Sequence, residues 1–180
     1  MAYVAIGCQG LLTVVLLVAT ASKIRGARAL RSFAASLTEM GLVRPRAAVP
    51  LAVAVAAAES ATLVLLTVPA TRRLGFAAGV LLFAVLTAGV GMVLARGSAA
   101  ACRCFGASAE PLRRRHLVRN AALTGLAGAG LAAAGSGVAT AGAIVAFAAG
   151  ALAGLLVTVL DDVVALFTPL KTARENPWRT

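Results

Sequence analysis

The stretch LGFAAGVLLFAVLTAGVGMVLA, Leu74 to Ala95, contains no charged residue. A helix needs about 20 consecutive apolar residues to cross the hydrocarbon core of a bilayer, so this run spans it once. Similar runs recur along the chain. Tyr3 to Ser22 is closed by Lys23, and a second run extends from about Ala47 to Ala70, with Pro50 near its first turn, where a missing N–H costs little. Pro69, Arg72 and Arg73 mark a tight turn between the second and third runs. From Leu117 to Leu160 the only charge is Arg119. That length exceeds one helix and suffices for two, with Gly135-Ser136-Gly137 as the hairpin between them. Asp161 and Asp162 end or interrupt the last run.

The fold class that follows is all-α, a polytopic membrane helix bundle. The expected spans are 3–22, 47–70, 74–95, 117–134 and 138–160. They form a single transmembrane domain over 1–170, followed by a polar basic tail at 171–180. Ala19-Thr20-Ala21 resembles a signal-peptide cleavage site, but no Lys or Arg precedes Lys23. The positive n-region is missing, so the first run reads as a retained helix.

Composition agrees. The chain is 61% hydrophobic and 13% charged, about half the charge fraction of a soluble domain. The net charge of +11 raises nucleic-acid binding, yet Lys and Arg are confined to loops and tail, and stacking aromatics are scarce, with one Trp and one Tyr. Basic residues flanking spans set topology and meet lipid headgroups, so the partner they point to is the bilayer. The predominance of Arg over Lys, with the Ala excess, suggests a GC-rich bacterial genome and hence a multi-pass protein of the plasma (inner) membrane.

Between the first two spans, Ile24, Ala27, Leu30, Ala34 and Leu37 recur at helical spacing, with Arg25, Arg28 and Arg31 on the other face. This predicts a short interfacial amphipathic helix lying on the membrane surface, ending near Gly41. Small residues at Gly142, Ala146, Gly150 and Gly154, and at Gly75 and Gly79, line single helix faces. They favour close helix packing within the bundle over dimerisation.

Few polar groups lie inside the spans. Glu59 is near the middle of the second, where a carboxylate costs roughly 2.5–3.5 kcal/mol and must face the bundle interior. It reads either as a proton relay or site residue, or as a protonated glutamate that fixes packing. Lys23 reads as a lysine whose ammonium snorkels to the interface. Cys8 reads as a small buried hydrophobe, and Asn120, just inside the fourth span, as a hydrogen-bonding group between helices.

The polar loop from Arg96 to His116 carries Cys102-Arg103-Cys104-Phe105-Gly106. Cα atoms two residues apart are about 5.5 Å apart in a helix and up to about 7 Å when extended, which brackets disulfide distances. A turn is needed to close the pair, and such a tight ring is strained and easily reduced. Arg103, Arg96 and Arg113 to Arg115 favour thiolate over thiol. Idle loop cysteines are the competing reading. Metal binding with His116 or Glu110 fits poorly, because structural zinc takes four ligands and wider Cys spacing. A permanent staple gains little loop entropy over three residues.

With Ser22-Lys23 closing the first span, Glu59 in the second, the CxCFG motif before the fourth and Arg119-Asn120 opening it, the chain resembles the MauE family of methylamine-utilisation membrane proteins, within the DoxX-like group. The resemblance runs from the first span through the fourth, and the family often has Gly where Arg103 stands. It implies a four-helix DoxX-like core, to which the fifth transmembrane helix and the interfacial helix add. It also implies redox-associated work, with Cys102 and Cys104 as the exchanging pair and Arg103, Phe105, Gly106, Glu59, Lys23, Arg119 and Asn120 in support. The implied partners are a thioredoxin-like protein and a disulfide-rich client such as an amine dehydrogenase light subunit. A looser similarity to the vitamin K epoxide reductase bundle suggests a quinone acceptor, by analogy. A proton-coupled transporter using Glu59 and a non-catalytic membrane scaffold are the alternatives. The charge bias places the cysteine loop in the cytoplasm, whereas redox work favours the outside, where disulfides persist.

Overall fold

The computed structural model describes residues 1–96, 114–134 and 140–167, the side chains of residue 140 and of residues 160–167 excepted. The Cys102–Gly106 motif, the Gly135–Gly137 hairpin and the basic tail lie outside the described residues. Among those described, all regular structure is helical: α1 (Ala2–Ile24), α2 (Ala27–Glu39), α3 (Pro45–Thr67), a 3₁₀ turn (Pro69–Thr71), α4 (Arg72–Ala95), α5 (Arg114–Ala133) and α6 (Thr140–Phe167).

Prolines set the bounds of α3. It begins at Pro45, two residues earlier than expected, because a proline at the first helical position loses no intrahelical bond. Pro50 therefore falls inside the helix, beyond the first turn. The helix stops at Thr67, short of Ala70. Val68 precedes Pro69 and takes an extended conformation, φ −84° and ψ 119°, as the proline ring requires. The Thr71 hydroxyl then donates to the Leu65 carbonyl at 3.0 Å, closing the turn into α4.

Helix α2 ends in a glycine cap. Gly41 has φ +65°, and the amides of Gly41 and Leu42 donate to the carbonyls of Thr38 and Leu37. This paired capping pattern needs a left-handed residue after the helix, which glycine supplies without a Cβ penalty. The buried face of α2 carries the expected Ala34 and Leu37, with Leu30 packed against the same cluster, and adds Phe33. Phe33, Ala34, Ser36 and Leu37 are buried, whereas Ile24 is 65% exposed. Phe33, Ala34 and Leu37 pack with Ala48 and Ala52 of α3 and Val90 and Val93 of α4. The helix is amphipathic, but its apolar face is covered by neighbouring helices rather than left open to lipid.

Helices α1, α3, α4 and α5 form a ring: α1 packs on α3 and α5, and α4 on both of these. Leu12, Leu16, Leu66, Phe76, Phe83 and Leu123 fill its interior. Outside the ring, α6 lies along α1. Its helix runs through Asp161 and Asp162 to Phe167, so the two acids neither end nor break it. Among the described residues, four helical segments are long and apolar enough to cross a membrane: Ala2–Ile24, Pro45–Thr67, Pro69–Ala95 and Ala141–Val159. Helix α5 opens on Arg114, Arg115, His116 and Arg119 before turning apolar.

The small-residue faces pack within the chain. A Cβ at Gly150 would collide with the Gly7 backbone, one at Gly154 would meet Leu11, and one at Gly142 would meet the Tyr3 ring. Helices α1 and α6 thus run parallel with their backbones in contact. Gly75 fits equally tightly against Leu65 and Leu66, whereas Gly89 faces open space. Lipid offers no hydrophobic drive between helices, so this close van der Waals approach holds α6 in place. Gly150→Leu is expected to lower the thermal midpoint of the detergent-solubilised protein by the equivalent of about 1–3 kcal/mol. Gly89→Ala should be neutral or slightly stabilising, since it only raises helix propensity.

Candidate functional site

Lys23 is the next-to-last residue of α1, and its side chain turns inward. Cα–Cβ bonds tilt toward a helix N-terminus, so the lysine stem runs back along α1. Its ammonium reaches the carboxylate of Glu59 on α3, with Nζ to Oε1 at 2.9 Å. The same Nζ donates to the Ala19 carbonyl at 3.2 Å. It also stands 4.9 Å from the ring centroid of Phe33 on α2, within cation–π range. Lys23 is 2% exposed and Glu59 3%.

This overturns the reading of Lys23 as a snorkelling interfacial lysine. A charge at membrane depth costs several kcal/mol unless compensated, and an acid one helix away compensates it better than a stretched stem would. Glu59 does face the interior as required, and its packing role runs through a cation. Phe33 was not anticipated as a member of this site. Thr20 precedes Lys23 by three residues, on the same face of α1, and is buried. Thr20 Oγ1 and Glu59 Oε2 have no hydrogen-bond partner among the described residues. A sequence signal for the pair did exist: an acid inside a span demands a partner, and Lys23 is the first basic residue in the chain.

Helices α4 and α5 flank the cysteine loop in the sequence. Arg96, at the end of α4, donates from Nη1 to the Gly41 carbonyl at 3.2 Å, tying that end to the α2–α3 connection. Leu117 of α5 packs against the same cluster as Phe33, Val90 and Val93. The chain thus leaves α4 and re-enters at α5 at the end of the bundle where α2 lies. At that entry His116 and Asn120, one turn apart, are both buried, and Asn120 Oδ1 has no partner among the described residues. Arg119 is half-buried beside them. Cys8 lies with Leu12 and Val15 in the apolar core as a free thiol, far along α1 from Lys23. Positions of Cys102, Arg103, Cys104, Phe105 and Gly106 fall outside the described residues.

Removing one member of a buried pair leaves an uncompensated charge, at a cost of about 3–5 kcal/mol. Glu59→Gln and Lys23→Met should each destabilise the detergent-solubilised protein on that scale. The double variant should recover a large part of the loss, a coupling that a double-mutant cycle of unfolding free energies measures directly.

No curated protein and no solved structure matches the chain. The family model of methylamine utilisation protein MauE matches residues 1–134, which takes in the Lys23–Glu59 pair, the Cys102–Gly106 stretch and Arg119-Asn120. With a match over most of its length and apolar helices long enough to cross a bilayer, the chain belongs to the MauE family of membrane proteins.

Proposed function

We propose that this protein is a membrane thiol–disulfide exchange component in which Cys102 and Cys104 form the reactive pair. The observation that carries the reading is the Cys102-Arg103-Cys104-Phe105-Gly106 motif, within the region that matches the MauE family and between α4 and α5. The loop starts and ends at the most basic end of the bundle, where arginines favour the thiolate form.

The exchange balances without a further reactant. A thiolate of the pair attacks a disulfide sulfur of a thioredoxin-like partner, forming a mixed disulfide and releasing one partner thiolate. The second cysteine attacks its neighbour's sulfur in that bond, closing the Cys102–Cys104 disulfide and releasing the other partner thiolate. Two electrons pass to the partner, whose released thiolates take up protons. The reverse direction oxidises a dithiol client, of which a disulfide-rich amine dehydrogenase light subunit is the example that methylamine utilisation offers. A quinone would be the acceptor that re-oxidises the pair by analogy alone. In this reading the protein sits in the inner membrane with α1, α3, α4 and α5 as a DoxX-like four-helix core and α6 as a fifth span.

Buried and bonded to Lys23, Glu59 acts here as the joint that holds the loop-bearing end of the bundle together. A proton-coupled transporter would need Glu59 to exchange that bond for a substrate or proton route. Phe105 would cover the pair, Gly106 would allow its turn, and Arg103, Arg119 and Asn120 would supply charge and hydrogen bonds at the mouth of α5.

The trapping experiment is direct. With Cys102→Ser, Cys104 should hold a thioredoxin-like partner as a mixed disulfide visible on a non-reducing gel, or the converse variant should. Loss of both cysteines should abolish the adduct. An adduct that persists in the double variant overturns the reading. Impermeant maleimide labelling of intact cells in a Cys8→Ser background then reports which side the loop faces and its redox state.

A further inference from the structure

The elbow between α1 and α2 leaves a cleft of about 420 Å³ against α3. Ile24, Ala27 and Leu30 form one wall, Val53 and Ala57 the other, and Lys23 contributes to the lining. That volume lies within the roughly 300–1,000 Å³ typical of ligand pockets. Its wall is almost wholly apolar, and the one cation in the lining is already neutralised by Glu59. An apolar chain fits such a cleft better than a buried anion.

The rim is different. Arg25 lies between two lining residues, Ile24 and Gly26, and is exposed. Arg31 is also exposed, and its Nε donates to the carbonyl of Ala27, a lining residue, at 3.3 Å. Arg25 caps α1 and Arg31 lies in the second turn of α2, just beyond an apolar span, where basic residues meet lipid headgroups, and guanidinium matches phosphate bidentately. The cleft opens outward beside exposed apolar side chains, Ile24 and Val53 among them.

We propose that this cleft is a discrete site for one anionic phospholipid, an acyl chain lying between α2 and α3 and the phosphate held by Arg25 and Arg31. The occupant follows from the combination: an apolar slot of chain-like character, a basic rim at its headgroup end and a lipid-facing mouth. Bound there, the lipid would brace the elbow next to the Lys23–Glu59 pair. The proposal stands independently of the thiol chemistry.

The test uses the full chain in neutral detergent, with phosphatidylglycerol and phosphatidylcholine of identical acyl chains as probes. Native mass spectrometry counts lipid adducts, and thermal unfolding reports stabilisation. Phosphatidylglycerol should bind at least tenfold more tightly than phosphatidylcholine. Arg25→Gln with Arg31→Gln should erase that preference, and Ala57→Trp, at an exposed position on the cleft wall, should reduce binding of both lipids. Arg44→Gln with Arg46→Gln should leave the preference intact. Equal affinity for the two lipids in the unaltered protein overturns the proposal. So does a preference that survives the Arg25/Arg31 change, or one lost equally in the Arg44/Arg46 control, which would mark diffuse surface charge. Circular dichroism of each variant confirms that folding is retained.

Discussion

A single ammonium–carboxylate bond inside a low-dielectric bundle constrains the rest of this protein. Neither Lys23 nor Glu59 is tolerable alone at that depth, and each is tolerable beside the other. Because the two residues lie on α1 and α3, the requirement fixes how those helices are rotated and how far they slide. Because Phe33 covers the same ammonium, it also fixes where α2 sits. Three elements that are contiguous in the chain are thereby joined at one point by charge as well as by apolar packing.

Packing elsewhere obeys the rule of the membrane interior, where contact counts for more than hydrophobicity. Helix α1 is the hub, enclosed by α3, α5 and α6, with 44% of its apolar window buried against 17% for that of α6. The α1–α6 contact rests on backbone approach at Gly150 and Gly154. The side chains of α6 that face away, Ile144, Val145, Leu152 and Leu156, are exposed and apolar, as a lipid-facing surface should be. The family match ends at residue 134, so α6 lies outside it, packed against a hub helix inside the matched region.

These constraints converge on the end of the bundle where the cysteine loop begins and ends. Arg96 is tied to Gly41, Leu117 packs beneath α2, and the charge pair supports α2 from within. A loop proposed to exchange disulfides with a larger partner needs such rigid posts, since the attacking sulfur must meet a defined target. The basic residues that cluster there have two separable consequences in the proposals above: Arg103 and its neighbours bear on thiol ionisation, while Arg25 and Arg31 bear on lipid.

Much of the architecture was legible because its physics is one-dimensional. Uncharged runs of bilayer length, prolines at turns, Gly41 after α2 and four-residue spacing of small residues are all local patterns, and each corresponds to an observed helix, cap or contact. The motif Cys102-x-Cys104-Phe105-Gly106 with Glu59 and Arg119-Asn120 was enough to point to the family. Local patterns found the apolar face of α2 at Leu30, Ala34 and Leu37 but left it to the membrane surface, because what covers such a face depends on the helices beside it. They misjudged Lys23 more seriously. By itself a lysine at the foot of a span belongs to the headgroups. Only the fold brings Glu59, 36 positions later, within 2.9 Å of its ammonium, and that proximity reverses the free-energy preference from interface to interior.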